Sequence, residues 1–489
     1  MNAPSRARHI VVTETKTTYL EAFRVQIDRD PDRLAVVCGD ESITRRELDH
    51  RSNQVARALA AQEVGAGDLV AIVLPNGVDL FVTVVAAWKL GAVPLPLSHR
   101  LPSAELDAVL GVAQPAAVLR TPIDPRDEDA SPLPAIPMRY WKAMSTGGST
   151  GMPKVVIDES PPYASAFEPQ NFMQVDGTML VAGPLYHSGP FINSIRGLLV
   201  GNTIVLMERF DAERALSLIE QHRVDWAFLV PTMQHRVWRL GADVHRRYDV
   251  SSLRAVISSG GPYPAWLKEC MIGWLGAETI QEAYGGTEQL GGCSISGVEA
   301  LAKPGSVGRV RAAYEMCVRD ESGSDLPAYE VGQIWFRAKD GSSAYRYLGR
   351  APDEGAGWGS FGDLGHVDDD GYLFIADRRT DLIVTGGANV YPAEVEAAIE
   401  SHPAVRSSAV IGMPDDDLGH RVHAIVDVGG HDDDGDPEQL IAAVREHLAG
   451  QLVTYKRPRT YEIVRASLRD EAGKVRRFAL RAERTGNAG

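Results

Sequence analysis

Short apolar runs alternate with helical segments along the first half of the chain. Val70–Leu74 is a continuous apolar run that ends at Pro75-Asn76-Gly77, and a segment with helical periodicity continues from there to Leu90. The same pattern predicts buried strands at Ala116–Leu119, Met179–Ala182, Thr203–Met207, Trp226–Val230 and Ala255–Ile257. Continuous apolar strands separated by amphipathic helices are typical of parallel sheets that helices cover on both faces. We therefore predict an α/β fold, with two α/β sheet subdomains in a large N-terminal domain.

The pattern changes near residue 301. Strand-like runs at Tyr314–Arg319, Gln333–Ala338 and Tyr372–Ala376 are joined by Gly- and Asp-rich turns, without a convincing helix between them. This predicts a small β-rich subdomain that completes the large N-terminal domain.

A third pattern begins after Asp377–Asp381. Pro392 is placed for the first turn of one helix, and Asp436-Pro437 opens another. Strands are predicted between these helices, at Ser408–Gly412 and Val422–Val428. The sequence therefore predicts a small α+β C-terminal domain, and Asp377–Asp381 is the predicted boundary.

Composition and charge exclude several classes of function. The 489 residues include 50 Lys and Arg against 65 Asp and Glu, a formal net charge of −15, which disfavours nucleic acid as a partner. Four cysteines without a C-x-x-C pair argue against a disulfide framework or a cysteine zinc site and favour a reducing cytoplasm. The most apolar stretch, Val78–Leu97, contains Asp79 and Lys89, so we expect no membrane span. The apolar run Ile10–Val12 is too short for a signal peptide, so a soluble cytoplasmic protein is expected.

The most informative segment is the Gly- and Ser-rich stretch Ser145–Lys154. Its three glycines let the backbone approach a ligand closely, its hydroxyls can donate to phosphate oxygens, and its lysine adds a positive charge. A Walker loop is excluded, because Lys154 follows a proline three residues after Gly151 and Val155 comes next. A flexible linker is the plainest alternative to a phosphate loop.

A second alternative comes from the same stretch, because Gly147–Gly151 satisfies the G-x-S-x-G pattern of a hydrolase nucleophile elbow. A serine hydrolase would then use Ser149, with His187 as the nearest base to nominate. Such an elbow must lead directly into a helix, whereas Met152-Pro153 interrupts here and Val155–Ile157 has the pattern of a strand. The context therefore disfavours the hydrolase.

Five segments together resemble the motifs of the adenylate-forming enzymes, the superfamily of acyl-CoA synthetases, peptide-synthetase adenylation domains and luciferases. The segments follow the family's order along nearly the whole chain: the loop Ser145–Lys154, Tyr284-Gly285-Gly286-Thr287-Glu288, Gly357–Asp363, Arg378 through Pro392, and Gly473-Lys474. The resemblance implies an N-terminal adenylation core domain at residues 1–377, a hinge at 378–381 and a mobile C-terminal domain at 382–489.

The resemblance implies an ATP-dependent carboxylic acid:CoA ligase. A carboxylate attacks the α-phosphate of ATP to give an acyl-adenylate and pyrophosphate, and the thiol of coenzyme A then displaces AMP. The expected substrates and cofactors are a carboxylic acid, ATP, Mg²⁺ and coenzyme A. A separate carrier protein with a phosphopantetheine thiol is the alternative acceptor, and a homodimer is one hypothesis for the oligomeric state. A non-catalytic nucleotide-binding protein is disfavoured, because Lys474, Glu288 and Asp363 are all present.

The family's roles carry over by motif position. As catalytic residues the resemblance implies Lys474, which touches the carboxylate and α-phosphate, Thr287 beside the α-phosphate, and Glu288 as the Mg²⁺ ligand. The implied ATP-binding residues are Thr146, Gly147, Gly148, Ser149, Thr150, Gly151, Lys154, Gly260, Gly261, Tyr284, Gly285, Asp363 and Arg378. The implied acyl-pocket residues are His187, Gly189, Gly286 and Gly291, and Gly386, Gly387 and Tyr391 would line the tunnel for coenzyme A.

Three departures from the family pattern stand out. The hinge position is Thr380, where the family usually has Lys or Asp, and Gly147 replaces a hydroxyl residue of the phosphate loop. The segment after Lys154 runs through Asp158-Glu159-Ser160 instead of the usual basic sequence. These features are similar to those of bile-acid-type CoA ligases, which implies a bulky hydrophobic or polycyclic acid as substrate.

Overall fold

The computed structural model of the chain describes residues 17–124, 128–134, 136–146, 154–343, 345–348, 357–429, 436–470 and 473–485. Strands β1 to β13 are Thr17–Thr18, Leu34–Cys38, Glu41–Thr44, Leu69–Ile72, Val93–Pro96, Ala117–Leu119, Ala143–Thr146, Lys154–Asp158, Tyr163–Ala164, Thr178–Val181, Thr203–Leu206, Trp226–Phe228 and Ala255–Ser258. Strands β14 to β21 are Ile280–Gly285, Gly292–Ser296, Ser306–Val310, Tyr314–Arg319, Gly332–Ala338, Tyr345–Leu348, Asp363–Val367 and Tyr372–Arg378. Strands β22 to β26 are Ile383–Thr385, Ala388–Val390, Ser407–Asp415, Gly419–Asp427 and Thr460–Val464.

The helices pack on these strands. Helices α1 to α10 are Tyr19–Arg29, Arg45–Ala60, Val78–Lys89, Ser103–Ala113, Ser188–Leu199, Ala212–His222, Pro231–Trp238, Ala242–His245, Ala265–Leu275 and Gly297–Ala302. Helices α11 to α13 are Pro392–Glu400, Pro437–Ala449 and Arg477–Thr485, and Thr454–Lys456 forms a short 3-10 turn. Among the described residues, no helix is both long and apolar enough to cross a bilayer.

Two parallel sheets form the α/β part of the molecule. One has the order β5-β4-β6, and the parallel strands of the other follow the order β14-β13-β12-β10-β11-β2. Strand β4 and the inner strands β10 to β13 are almost entirely buried, because helices cover both faces of their sheets. The sequence prediction of an α/β fold is confirmed.

The β-rich region continues the second sheet instead of forming a sheet of its own. Strands β15, β16, β21, β20, β18 and β17 add to β14 in antiparallel order, so one ladder of 13 strands runs through both parts. The short strand β19 leaves this ladder and pairs with β8, next to β7. That pairing connects the β-rich region to the segment on either side of the predicted phosphate loop.

The C-terminal domain has its own core. Strands β24 and β25 pair antiparallel, β26 joins β25 in parallel, and α11 and α12 pack on this small sheet. Val395 and Ile399 of α11 and Val444 and Leu448 of α12 are fully buried in it, as their helical spacing predicts. The prediction of an α+β C-terminal domain is confirmed. The predicted hinge falls in the turn Arg378–Asp381, which the Asp381 N–H closes by donating to the Arg378 carbonyl.

Described contacts connect the two domains. Arg239, next after α7, donates to the carbonyls of Pro403, at 2.7 Å, and Val405 in the C-terminal domain. Arg476 forms an ion pair at 3.1 Å with Glu105 on α4. These contacts join the C-terminal domain to the end of α7 and to α4 of the large domain.

Candidate active site

The candidate site lies where parallel strands of the large sheet end. His187 follows β10, Gly260 and Gly261 follow β13, and Tyr284 and Gly285 end β14. In open α/β sheets, ligands bind outside the carboxyl ends of the strands. A Cβ at Gly261 would have no neighbour within 4 Å, and Gly260 has φ +88°, so the backbone here is open to the close approach of a flat ring.

Tyr284, Asp363 and Arg378 form one hydrogen-bonded group. The Tyr284 hydroxyl donates to Asp363 Oδ2 at 2.6 Å, and Arg378 Nε lies 3.4 Å from Asp363 Oδ1. The register of β20 and β21 places Asp363 directly opposite Arg378. Burial raises the pKa of Asp363, and Arg378 and Tyr284 oppose that rise. Burial, with Asp363 beside it, raises the pKa of Tyr284 far above its ordinary value, so the phenol keeps its proton and donates.

Glu288 lies in the turn after β14, and Tyr347 holds it. The Tyr347 hydroxyl on β19 donates to Glu288 Oε1 at 2.8 Å. Thr287 is the residue before Glu288 in the same turn, and an added Cβ at Gly286 would strike the ring of Phe361. A carboxylate oxygen is the ligand type that Mg²⁺ prefers. Glu288 therefore has the donor chemistry for the predicted role, and Tyr347 fixes one of its two oxygens.

The predicted phosphate loop starts and ends beside this turn. Thr146 ends β7 and pairs with Lys154, the first residue of β8, so the loop connects two antiparallel strands. The predicted residues between them, Gly147, Gly148, Ser149, Thr150 and Gly151, lie outside the described residues. Lys154 Nζ lies 5.4 Å from the centre of the Tyr347 ring. A strand-to-strand connection contradicts the nucleophile elbow of the hydrolase alternative, which requires a strand followed by a helix.

Lys474 of the C-terminal domain lies close to several of the predicted site residues of the large domain. Its charge acts on His187, and the charges of Glu288 and Arg378 act on it in turn. An added Cβ at Gly473 would strike Thr232 on α7, so the loop before Lys474 touches the large domain directly. Lys474 keeps access to solvent, yet the surrounding protein desolvates its ammonium and Arg378 repels it, and its pKa is lowered. Asp470 and Glu288 oppose that shift.

His187 precedes α5 and lies against the ring of Tyr186, with ring centres 4.6 Å apart. Burial, assisted by the positive charge of Lys474, lowers the pKa of His187 to about 3. The imidazole is therefore neutral at physiological pH. A neutral ring beside Lys474 leaves the ammonium as the positive charge that an approaching carboxylate meets there.

Aromatic rings fill the space beside the three glycines of the predicted acyl pocket. A Cβ at Gly189 would lie 2.6 Å from the Phe228 ring, and one at Gly291 would lie 2.6 Å from the Phe336 ring. Gly286 contacts Phe361 in the same way. These glycines allow aromatic side chains to pack closely against the backbone. The resemblance instead implies that they line a pocket for the acyl group.

The predicted tunnel residues lie on a hairpin of the C-terminal domain. Gly386 and Gly387 form the turn between β22 and β23, with φ of +55° and +81°, and Tyr391 precedes α11. The Gly386 N–H donates to the Leu418 carbonyl at 3.0 Å, inside the same domain. The Gly386 contact thus lies within the C-terminal domain, whereas Lys474 interacts electrostatically with Glu288 and His187.

Sequence reasoning missed a buried ion pair behind the phosphate loop. Lys142 Nζ lies 3.0 Å from Asp158 Oδ2, and both side chains are completely buried. Gln289, the residue after Glu288, donates to the same Asp158 carboxylate from a backbone with φ +51°. Burial lowers the pKa of Lys142, and Asp158 opposes that shift. In the sequence, Lys142 and Asp158 stand next to short apolar runs, which is a weak signal. Only the pairing of β7 with β8 brings the two side chains together.

The comparisons agree with this geometry. A family model described as AMP-binding enzyme matches residues 23–139 and 143–346, and one for the AMP-binding enzyme C-terminal domain matches 394–474. Feruloyl-CoA synthase of Amycolatopsis sp. is 32% identical over 490 residues, covering 92% of this chain and 96% of the relative. The 2-succinylbenzoate–CoA ligase of Bacillus licheniformis is 30% identical over 478 residues, covering 92% and 97%.

A solved structure supports the same assignment. The o-succinylbenzoate coenzyme A synthetase of Bacillus subtilis, in complex with ATP and magnesium ion, superposes with a TM-score of 0.78 at 26% identity. The match covers 95% of this chain and all of that one, 100%. The chain therefore belongs to the AMP-binding enzyme family and, within it, to the acyl-CoA synthetase branch of AMP-forming acid–thiol ligases.

Proposed function

We propose that this enzyme activates a bulky hydrophobic, aromatic or polycyclic carboxylic acid with ATP and transfers the acyl group to coenzyme A. A carboxylate oxygen attacks the α-phosphorus, the bond to pyrophosphate breaks, and an acyl-adenylate forms. The thiol then attacks the acyl carbon and AMP leaves. The observation that carries the proposal is that Lys474, on the C-terminal domain, lies within electrostatic range of Glu288, Arg378 and His187, while the neighbouring Gly473 packs against Thr232 of the large domain.

The chemistry of the first step explains why a lysine is needed at that position. A carboxylate and a phosphate are both anions, so their approach requires positioned positive charge more than it requires a strong base. Lys474 supplies this charge from the C-terminal domain, and neutral His187 adds no second charge beside it. We infer that Lys474 contacts the carboxylate and the α-phosphate as they meet, with Thr287 beside the α-phosphate.

The remaining residues hold the nucleotide. We infer that Thr146 through Lys154 bind the outer phosphates, and that Gly260, Gly261, Tyr284 and Gly285 border the adenine. Asp363 and Arg378 hold the ribose hydroxyls, a role that suits a carboxylate already oriented by Tyr284. Glu288 has the donor chemistry for Mg²⁺, which would neutralise phosphate charge when bound.

The second step requires a thiol to reach the acyl carbon. We infer that the C-terminal domain, residues 382–489, rotates about residues 378–381 at Thr380 and brings Gly386, Gly387 and Tyr391 to the thiol's path. Coenzyme A is the proposed acceptor, and a separate carrier protein is the second candidate. A homodimer stays a hypothesis, and the molar mass in solution would test it.

The nature of the acid is proposed from the relatives and from the packing. The names of the two relatives above specify aromatic acids, feruloyl and 2-succinylbenzoate. His187, Gly189, Gly286 and Gly291 lie on the proposed acyl side by motif position, and an aromatic ring packs against each of the three glycines. The aromatic acids in the relatives' names favour a flat, apolar acyl group over a short or charged one.

The experiment is a screen of short, fatty, aromatic and polycyclic acids for acid-dependent exchange of labelled pyrophosphate into ATP, with thioesters identified by mass spectrometry. Lys474→Met should lower exchange by about 100-fold or more, as loss of a preorganised charge at a developing anion does elsewhere. Lys456→Met is the matched control, because Lys456 pairs with Glu394 on the same domain.

Two outcomes would refute the proposal. An enzyme that exchanges pyrophosphate with none of the acids, while binding ATP, would not be this ligase. The role given to Lys474 would be contradicted if Lys474→Met lowered the rate of thioester formation from pre-made acyl-adenylate as much as it lowers pyrophosphate exchange. In that second step the acyl group is already activated. Transfer to carrier-bound pantetheine with no transfer to coenzyme A would establish the second candidate acceptor.

A further inference from the structure

The loop that carries Lys474 is attached at both ends to one helix. Arg469 Nη2, before the loop, donates to Glu400 Oε1 at 2.7 Å, and Arg477 Nη2, after it, donates to Glu396 Oε2 at 2.7 Å. Glu396 and Glu400 are four residues apart on α11, so they lie on one face of that helix. Arg469 Nη1 also donates to the Gly473 carbonyl at 3.2 Å.

Arg477 reaches further than Arg469. Its Nη1 donates at 2.8 Å to Asp381, the residue after Thr380 in the predicted hinge. Asp377, before the turn, accepts from the Ala393 N–H in the first turn of α11 at 2.8 Å, and its charge acts on Arg477. One guanidinium therefore joins the end of the Lys474 loop, helix α11 and the hinge turn.

The geometry of this contact is specific to arginine. Arg477 makes a two-oxygen contact with Glu396 and a separate one with Asp381, and its side chain is only 17% exposed. A planar fork with five donors can serve both carboxylates, whereas an ammonium is a single point charge. Burial strengthens both contacts, because few water molecules compete for them.

A merely structural role is the alternative to weigh. Glu396 and Glu400 also accept the N–H groups of Val410 and Ser408 on β24, both at 2.8 Å, so these carboxylates stabilise the domain itself. Arg484, on the same helix α13, offers a comparison. It makes a two-oxygen contact with Glu462 on β26, at 2.6 and 2.8 Å, away from the hinge and from the Lys474 loop.

We propose that Arg477 is a positioning residue for Lys474, and that its bridge between Glu396 and Asp381 sets the Lys474 loop against the hinge so that the ammonium enters the site. This inference rests on the proposed function. Because Lys474 serves only adenylate formation, loss of the bridge should slow that half-reaction selectively. A residue that only stabilised the domain would affect both half-reactions alike.

The test compares Arg477→Met, Asp381→Asn and Arg484→Met with the unaltered full chain. Arg477→Met should slow acid-dependent pyrophosphate exchange by about 10- to 100-fold, the loss expected for contacts between charged groups. Thioester formation from pre-made acyl-adenylate should stay within about twofold. Asp381→Asn removes the negative charge from the hinge contact and keeps the pair with Glu396, so it should act in the same direction, more weakly, even if Arg477→Met folds poorly.

A second measurement does not depend on activity. Hydrogen–deuterium exchange at residues 473–476 should accelerate in Arg477→Met and Asp381→Asn but not in Arg484→Met, because the bridge restrains the segment that carries Lys474. This would support the proposal even if the unaltered enzyme exchanged pyrophosphate with none of the acids tried, an outcome that would refute only the proposed function. Equal losses in both half-reactions, or loop exchange no faster than in Arg484→Met, would overturn the proposal.

Discussion

Replacing Tyr347 by Phe tests how Glu288 is held. The Tyr347 hydroxyl donates to Glu288 Oε1 at 2.8 Å, and pairing of β19 with β8 sets Tyr347 opposite Val156. Phenylalanine keeps the ring, its contact with Tyr345 and the cation–π contact with Lys154, with ring-centre distances of 5.2 and 5.4 Å. The substitution therefore removes the hydroxyl and, with it, the hydrogen bond to the Glu288 carboxylate.

The magnitude follows from the type of bond and its burial. A hydrogen bond to a charged group contributes about 1.5 to 3 kcal/mol. Tyr347 and Glu288 are both half-buried, so water can replace part of the lost bond, and we expect the lower part of that range. A loss of about 1.5 kcal/mol corresponds to roughly a tenfold change. Because the hydroxyl orients Glu288, we expect a tenfold increase in the Mg²⁺ concentration that gives half-maximal exchange.

The assay is pyrophosphate exchange at fixed ATP across a Mg²⁺ titration, together with Mn²⁺ binding measured by electron paramagnetic resonance with a non-hydrolysable ATP analogue. Tyr329→Phe is the control, because its hydroxyl donates at 3.3 Å to Asp369 on an exposed part of the β-rich region. An unchanged metal requirement in Tyr347→Phe, or an equal shift in both variants, would refute the reasoning that Tyr347 orients the metal-binding carboxylate.

Three further predictions follow from buried contacts of the site. Lys142→Met leaves the buried Asp158 carboxylate without its cationic partner and should lower the free energy of unfolding by about 3 to 5 kcal/mol in urea titrations. The double variant Lys142→Met with Asp158→Leu should recover much of that loss. Gly291→Ala should cost about 1 to 3 kcal/mol, since its Cβ would lie 2.6 Å from Phe336; unchanged stability with a raised KM for wide acids would favour an open pocket instead. The adenylation rate should fall as pH rises through the pKa of Lys474, which lies below the ordinary lysine value of 10.5, because the ammonium must be protonated. If the pH–rate profile of Lys474→Arg still falls at the same pH, another group is responsible for the decrease.

The buried strands could be predicted from the sequence for a physical reason. A strand buried on both faces must be apolar throughout, so β4, β10, β11, β12 and β13 were recognisable as runs of Val, Ile, Leu, Ala and aromatic residues. Tyr284, Glu288, Asp363 and Lys474 stand in motifs whose local spacing is fixed by the turns that hold them. Such features depend on neighbours along the chain, and one sequence is enough to show them.

The contacts that support the site depend on pairings between distant segments. Tyr347 holds Glu288 because β19 pairs with β8, and no local pattern in either strand predicts that partner. The aromatic packing on Gly291 could not be predicted from the sequence for a similar reason. Phe336 lies on β18, a strand that is not adjacent to β14 or β15 in the sheet. In the sequence, a glycine shows only that a side chain is missing. Which neighbouring group occupies that space depends on the fold.

The charges around Lys474 bear on the proposed rotation of the C-terminal domain. Arg378 repels Lys474, and the protein desolvates the ammonium, so holding both cations together costs free energy. Negative phosphate oxygens and a substrate carboxylate would offset that cost, which makes this arrangement favourable mainly when the reactants are bound. Once pyrophosphate has left, fewer negative charges remain and the balance shifts towards separation of the cations. In the domain rotation proposed above, about Thr380, this separation of the cations would accompany the opening of the acyl-adenylate to the thiol. Electrostatic cost in the adenylating arrangement would thus help to drive the change between the two half-reactions.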